Sequence, residues 1–218
     1  MATPRPSVSK EVFLDAALSI VDEYGSDAVT TRTLGNAVGL DSTTVYRYFG
    51  SKDVLLGSLF DHVVGKAVTA CAVADGTPQE RIRTYVASYR SAFFSHPNVS
   101  RLNSYLADML IATQGEASNS ARISGMTIEA MRQMGLSGRR LLLAYQMLET
   151  FVVGALLLDA GAHSRSMSVR VLRLRAIDSG SIDSIDIDEA LVSELSDEAF
   201  WTGVDSVIAA IEELASRS

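Results

Sequence analysis

TTRTLGNAVGLDSTTVYRYFGSK, residues 30–52, reads as two short helices joined by a glycine-containing turn, with a third helix starting at its end. Leu34, Ala37 and Val38 give the first helix an apolar side, and Gly39-Leu40 breaks it. Asp41 is placed to cap the second, because its carboxylate can accept the free backbone N–H groups of Thr43 or Thr44. Val45 and Phe49 then fall on one face, four residues apart, which leaves Ser42, Thr43, Thr44 and Arg47 pointing outward. This is the layout of a helix-turn-helix whose second helix offers small hydroxyls and one arginine to a major groove.

Upstream, residues 1–8 form a polar, proline-containing arm, and Val12, Phe13, Ala16, Ala17, Ile20 and Val21 recur at helical spacing until Gly25 ends the helix. Downstream, Ser51 caps a long helix over 52–74 with Leu55, Leu56, Leu59, Phe60, Val63, Val64 and Val68 as its apolar stripe. DGTP at 75–78 is the clearest break in the chain. The pattern beyond it stays helical over 78–95, 98–113, 117–134 and 138–162, with Pro78 and Pro97 at tolerated first-turn positions. Arg165, Arg170, Arg173 and Arg175 precede a stretch from Asp178 to Glu198 with eight acids and no basic residue. Residues 178–196 therefore read as a flexible acidic segment. A last amphipathic helix is expected over 197–215, aligning Phe200, Val204, Val207, Ile208, Ile211 and Leu214. No stretch alternates with period two, so the fold class is all-α, without a tandem repeat.

At 218 residues with 47% apolar content and four prolines, the chain has enough material for a sizeable core and is neither disordered nor fibrous. One cysteine, Cys71, excludes an internal disulfide framework and suits a reducing cytoplasm. The N-terminal residues lack the apolar core of a secretion signal. Residues 141–162 have about the length of a bilayer span, but Gln146, Glu149 and Asp159 interrupt them, so a helix partly buried against a second subunit is the better reading. The net charge of −7 argues against a general nucleic-acid coat. Residues 1–60 themselves hold five Lys/Arg against seven Asp/Glu, so DNA binding must rest on local placement and depend strongly on salt and on pairing of subunits.

Residues 9–60 resemble the DNA-binding domain of the TetR family of bacterial transcriptional regulators. Ala16-Ala17, Gly25, Thr30, Arg32, Leu34, Gly39, Thr44, Tyr46, Tyr48-Phe49, Lys52 and Leu55 carry the likeness, which covers about a quarter of the chain in detail. Gly35 stands where the family usually has alanine, which is expected to loosen the second helix by up to about 1 kcal/mol. Asp41 replaces a common serine at the cap.

Ser42, Thr43 and Thr44 sit where side chains reach base edges, and their hydroxyls give soft specificity. Arg47 is suited to a guanine, a phosphate or a surface ion pair. The resemblance implies that Tyr46 and Tyr48 contact phosphates, while a purely packing role for either stays open. Lys52, at a helix start, combines its charge with free N–H groups suited to a phosphate, and Thr31 and Arg32 start the second helix in a similar way.

Tyr89, Phe93, Tyr105, Met109 and Met126 give the middle helices an aromatic and methionine-rich interior that is either plain core or the wall of a small-molecule cavity. The resemblance raises the second possibility, with Gln146, Glu149 and His62 as the polar candidates. Residues 141–160 and 197–215 are expected to pair two subunits, which would set two heads on a palindromic operator. Neither a nucleotide fingerprint nor a metal motif nor a nucleophile with its base is present, so no enzyme, no cofactor and no metal site is expected.

The chain thus divides into a helix-turn-helix domain at 1–51, a connecting helix at 52–74 and an effector-binding and dimerisation domain at 75–218. The expected function is a ligand-responsive repressor that binds double-stranded DNA. The alternative is a protein–protein interaction module of the same fold without DNA binding.

Overall fold

The computed structural model describes residues 9–113, 118–159, 171 and 188–216. These residues are helical, with no strand among them. Helix α1 (Lys10–Tyr24) buries Phe13, Leu14, Ala17, Leu18 and Val21 and stops at Gly25, whose φ of 80° suits glycine. A short 3-10 turn, Ser26–Ala28, leads to α2 (Thr31–Val38), and α3 (Ser42–Phe49) comes next.

Helix α4 (Lys52–Cys71) is the axis of the molecule. Leu55, Leu56, Leu59, Phe60, Val63, Val64, Ala67, Val68 and Cys71 are buried along it, and α1, α3 and the later helices Pro78–Phe94, Leu106–Ala112 and Asn119–Gln133 all pack on it. One continuous core therefore runs from Phe13 in α1 to Ile211 near the C-terminus. Helix α4 ends at Cys71, one turn earlier than the expected 74.

Helix α5 (Pro78–Phe94) opens with a reciprocal cap: Glu80 N–H donates to the Thr77 hydroxyl at 3.2 Å and Thr77 N–H donates to Glu80 Oε2 at 2.8 Å. The single helix expected over 98–113 is broken into α6 (Pro97–Ser100), a 3-10 segment Arg101–Tyr105 and α7 (Leu106–Ala112). Close packing explains the break. A Cβ on Gly57 of α4 would stand only 2.2 Å from the Tyr105 carbonyl oxygen, so the chain tightens where it crosses α4.

Helices α8 (Asn119–Gln133) and α9 (Gly138–Asp159) come next, and α10 (Glu189–Ser216) closes the chain. The last helix starts eight residues before the expected 197, because Asp188 caps it: Leu191 N–H donates to Asp188 Oδ1 at 2.8 Å. Acidic side chains at this end also suit the helix dipole. The acidic segment expected at 178–196 is thus helical from Glu189 onward, while 178–187 and the four arginines at 165–175 lie outside the described residues.

Helices α9 and α10 meet with the Phe151 ring seated over Gly203, where a Cβ would stand 2.1 Å from Cζ. Arg83 and Arg90 of α5 reach across to α10, forming ion pairs with Asp205 and Asp197 and lying 4.6 Å and 4.2 Å over the Trp201 and Phe200 rings. The α9 stretch Gly138–Leu158 contains an 18-residue window of mean hydropathy 1.9, long and apolar enough to cross a membrane, and only 28% of that window is buried. Helix α4 passes the same test, but 67% of its window is buried, as in a core helix.

Candidate nucleic-acid interface and ligand cavity

The helix-turn-helix is held by local rules. Thr30 caps α2: Thr33 N–H donates to its hydroxyl at 3.0 Å, while Thr30 N–H donates back to Thr33 Oγ1 at 2.9 Å. Gly39 adopts the left-handed conformation (φ 71°) that ends α2. Asp41 caps α3 by accepting from Thr44 N–H at 3.0 Å, and this bond holds the Asp41 carboxyl below the usual aspartate range. Gly35 is buried, and a Cβ there would stand 2.6 Å from the Leu40 carbonyl oxygen, so its small size serves the close α2–α3 turn.

Val45 and Phe49 are buried beneath α3, and Phe13 meets Phe49 edge-on at 6.2 Å. With that side fixed, Ser42, Thr43, Tyr46 and Arg47 are exposed and Thr44 is half-buried. Thr44 also turns its hydroxyl toward Asp41, at 3.4 Å. The two tyrosines separate: Tyr46 is 63% exposed, whereas Tyr48 is half-buried with its ring 5.1 Å from Phe13. Thr31 and Arg32 are exposed at the start of α2, and Lys52 is exposed as the first residue of α4, next to the first-turn acid Asp53. Lys10, half-buried, lies 5.2 Å over the Phe49 ring.

A cavity of about 590 Å³ lies between α5, the 101–112 segment, α8 and α9. Of the residues expected there, Tyr89, Gln146 and Glu149 line it. The others do not. Phe93 is core, its ring 4.8 Å from Phe60 and 4.9 Å from Tyr89. Met109 is buried, Tyr105 and Met126 pack against the core, and His62 instead faces Asp15 of α1 at 3.0 Å. Aromatic and methionine side chains fill interior gaps well, which is why they pack the core.

Smaller polar groups line the walls: Asn103, Ser120, Ser124, Thr127, Tyr145 and Thr150. Ser120, Ser124 and Thr127 lie on one face of α8, a signal present in the sequence as helical spacing. The Tyr145 hydroxyl stands 2.7 Å from Ser124 Oγ and donates to Glu149 Oε1 at 3.2 Å. Burial pushes both Tyr89 and Tyr145 above the usual tyrosine range; for Tyr89, the neighbouring Tyr145, Glu149 and Asp61 add to the effect.

Two polar connections join the cavity and the head to α4. Asp61, buried in α4, accepts from the N–H of Asn119 (2.9 Å), the N–H and hydroxyl of Ser120 (both 2.8 Å) and the hydroxyl of Ser118 (2.9 Å), so it caps α8 from outside. At the other side, Lys66 Nζ donates to His96 Nε2 at 2.8 Å, which leaves His96 Nδ1–H to donate to Asp22 Oδ2 of α1 at 2.7 Å. Among the described residues no cluster of three or more His, Cys, Asp or Glu is placed to hold a metal.

A short second helix fixed from beneath and left open above, on a head whose core runs on into a helical body, is the architecture of helix-turn-helix proteins. Residues 13–59 match the family of bacterial regulatory proteins, tetR family. An HTH-type transcriptional repressor of Mycobacterium tuberculosis is 25% identical over 160 residues, 71% of this chain and 59% of the relative, so the chain spans about three fifths of that relative's length. The transcriptional regulator SCO7222, a TetR from Streptomyces coelicolor, superposes with a TM-score of 0.71 at 23% identity, over 95% of this chain and 99% of that one. BioQ solved with its double-stranded DNA operator superposes with a TM-score of 0.64 at 19% identity, over 94% and 99%. At these identities the solved structures define the fold.

Proposed function

We propose that the protein is a DNA-binding transcriptional regulator, a repressor released from its operator by a small molecule. The exposed stripe Thr43, Tyr46 and Arg47, above the buried Val45 and Phe49, carries this reading. Ser42, Thr43 and Thr44 reach base edges, Arg47 takes a guanine or a phosphate, and Tyr46, Lys52, Thr31 and Arg32 hold the DNA backbone. Tyr48 acts mainly through its packing on Phe13. The similarity in fold to BioQ bound to double-stranded DNA supports the same use of the head.

In this reading residues 1–51 are the head, 52–74 the connecting helix and 75–218 the effector and dimerisation domain. One head has too few positive charges for tight binding, so two are needed about 34–36 Å apart on a palindrome. The exposed Leu143 and Leu158 of α9, with the neighbouring face of α10, supply the surface for a homodimer. A ligand in the cavity that prefers the conformation with wrongly spaced heads weakens DNA binding by its difference in affinity for the two states. Such a partner implies a cytoplasmic location.

Titration of the full-length protein on a palindromic promoter fragment at several salt concentrations tests the proposal. Binding should fall steeply with salt and be abolished by Tyr46→Ala combined with Lys52→Ala. Binding that survives the double variant, or that is independent of salt, would sink it.

A further inference from the structure

The cavity between α5, the 101–112 segment, α8 and α9 carries a charge pattern that its size alone does not reveal, and the ligand class inferred from that pattern rests on the effector-site reading. Among the described residues that line it, Glu149 is the single charged side chain, and no lysine, arginine or histidine faces it. Glu149 is exposed although it lines the cavity, so it stands where the cavity opens. It has no cationic partner among the described residues, and its one hydrogen bond comes from the Tyr145 hydroxyl at 3.2 Å.

The walls suit a cation in a second way. Tyr85, Tyr89 and Tyr145 bring three aromatic rings to the cavity, and the faces of such rings attract positive charge most strongly where water is excluded. The Tyr89 hydroxyl makes no hydrogen bond among the described residues. Its ionisation is suppressed first by burial, and the nearby carboxylates Glu149 and Asp61 add a negative field. A carboxylate or phosphate ligand would meet that field with no basic side chain to offset it.

We propose that the cavity takes a lipophilic organic cation, an amine, ammonium or phosphonium on an apolar body, with Glu149 as its counter-charge. A volume of about 590 Å³ accommodates a body of drug size. Leu106, Leu110, Ile123, Val152 and Leu157 cover the apolar part. Tyr89 and Tyr145 flank the charge.

Three aryl probes that differ in charge test this by calorimetry on the full-length protein: tetraphenylphosphonium, neutral triphenylphosphine oxide and anionic tetraphenylborate. Tetraphenylphosphonium should bind tightest, and Glu149→Gln should weaken it about ten-fold or more while changing the neutral probe by less than about two-fold. Thr127→Trp, which fills the cavity, should remove binding, with circular dichroism confirming that the variant folds. Equal or tighter binding of the neutral or anionic probe, or an unchanged tetraphenylphosphonium affinity in Glu149→Gln, overturns the charge class. If such a probe is nevertheless lost in Thr127→Trp, the effector cavity stands and only the charge class fails. If none of the three binds, both fail, and operator affinity measured without any probe still reports on the DNA-binding reading by itself.

Discussion

Asp61 Oδ1 accepts from both the backbone N–H and the hydroxyl of Ser120, each at 2.8 Å, so one carboxylate of the connecting helix holds the first turn of a cavity wall. The Asn119 N–H and the Ser118 hydroxyl add two more bonds at 2.9 Å. Replacing Asp61 by asparagine turns an acceptor into an amide donor that faces these N–H groups. The expected loss is about 2–4 kcal/mol, because several buried donors lose a charged acceptor. A thermal melt should show this as a fall of roughly 5–15 °C. A melting temperature within a degree or two of the parent would mean that α8 does not depend on this cap.

The two tyrosines of α3 should part company in experiment. Tyr46→Ala removes an exposed side chain, so it should leave the melting temperature nearly unchanged while weakening operator binding. Tyr48→Ala removes a ring packed on Phe13 and should cost about 1–3 kcal/mol of stability. Paired melts and DNA titrations of the two variants check the contrast, and the reverse pattern would reassign both roles.

In the proposed reading, Lys52 meets the DNA as a point charge at a helix start. Lys52→Ala should weaken binding to all sequences alike and reduce the slope of log affinity against log salt by about one per head. A sequence-dependent loss would mean that Lys52 reads a base.

Asp41 gives the head an acid-sensitive cap. Its carboxyl is held below the usual range in the folded state by the Thr44 N–H, so the cap's contribution is complete above the ordinary aspartate pKa. It is lost as pH falls through the depressed value. Melts of Asp41→Ala should therefore differ most from the parent at neutral pH and converge with it under acid conditions. Asp41→Ser should keep the cap and remove a negative charge from the DNA side, with tighter operator binding as the result.

On α9, Leu143 and Leu158 lie on the same side of the helix and are both exposed. Leu143→Glu with Leu158→Glu should yield monomers by analytical ultracentrifugation and lose most affinity for a palindrome while retaining helical content. A dimer that persists would move the subunit contact elsewhere.

Much of the head is legible in the sequence because Gly39, Asp41, Val45 and Phe49 obey rules that act within four residues: a left-handed stop, a cap and an apolar face. The same locality makes α1 and the start of α5 readable. The cavity is harder. Tyr89, Gln146 and Glu149 can be picked out, but Phe93, Tyr105, Met109 and Met126 carry the same aromatic and methionine signal and belong to the core or pack against it. The distinction depends on which helix lies opposite, and helical spacing contains no such information. Asp61 is further from reach: it sits inside an apolar stripe, and its bond to Ser118 spans 57 residues of chain. The start of α10 misleads for another reason. Its acids resemble a solvated linker, yet acids also favour a helix N-terminus, and only the buried Val192 decides between the two.

The unbroken core along α4 has a consequence for anyone recombining this protein with a relative. Leu55, Leu56 and Leu59 are fully buried at the end of α4 nearer the head, and Val63, Val64 and Val68 continue the same helix into the body. A chimera cut at Gly50 would part the head from the half of that helix that completes its core. The workable seam is at Asp75-Gly76, where α4 has ended and the chain turns, so the head travels between scaffolds only with its whole supporting helix attached.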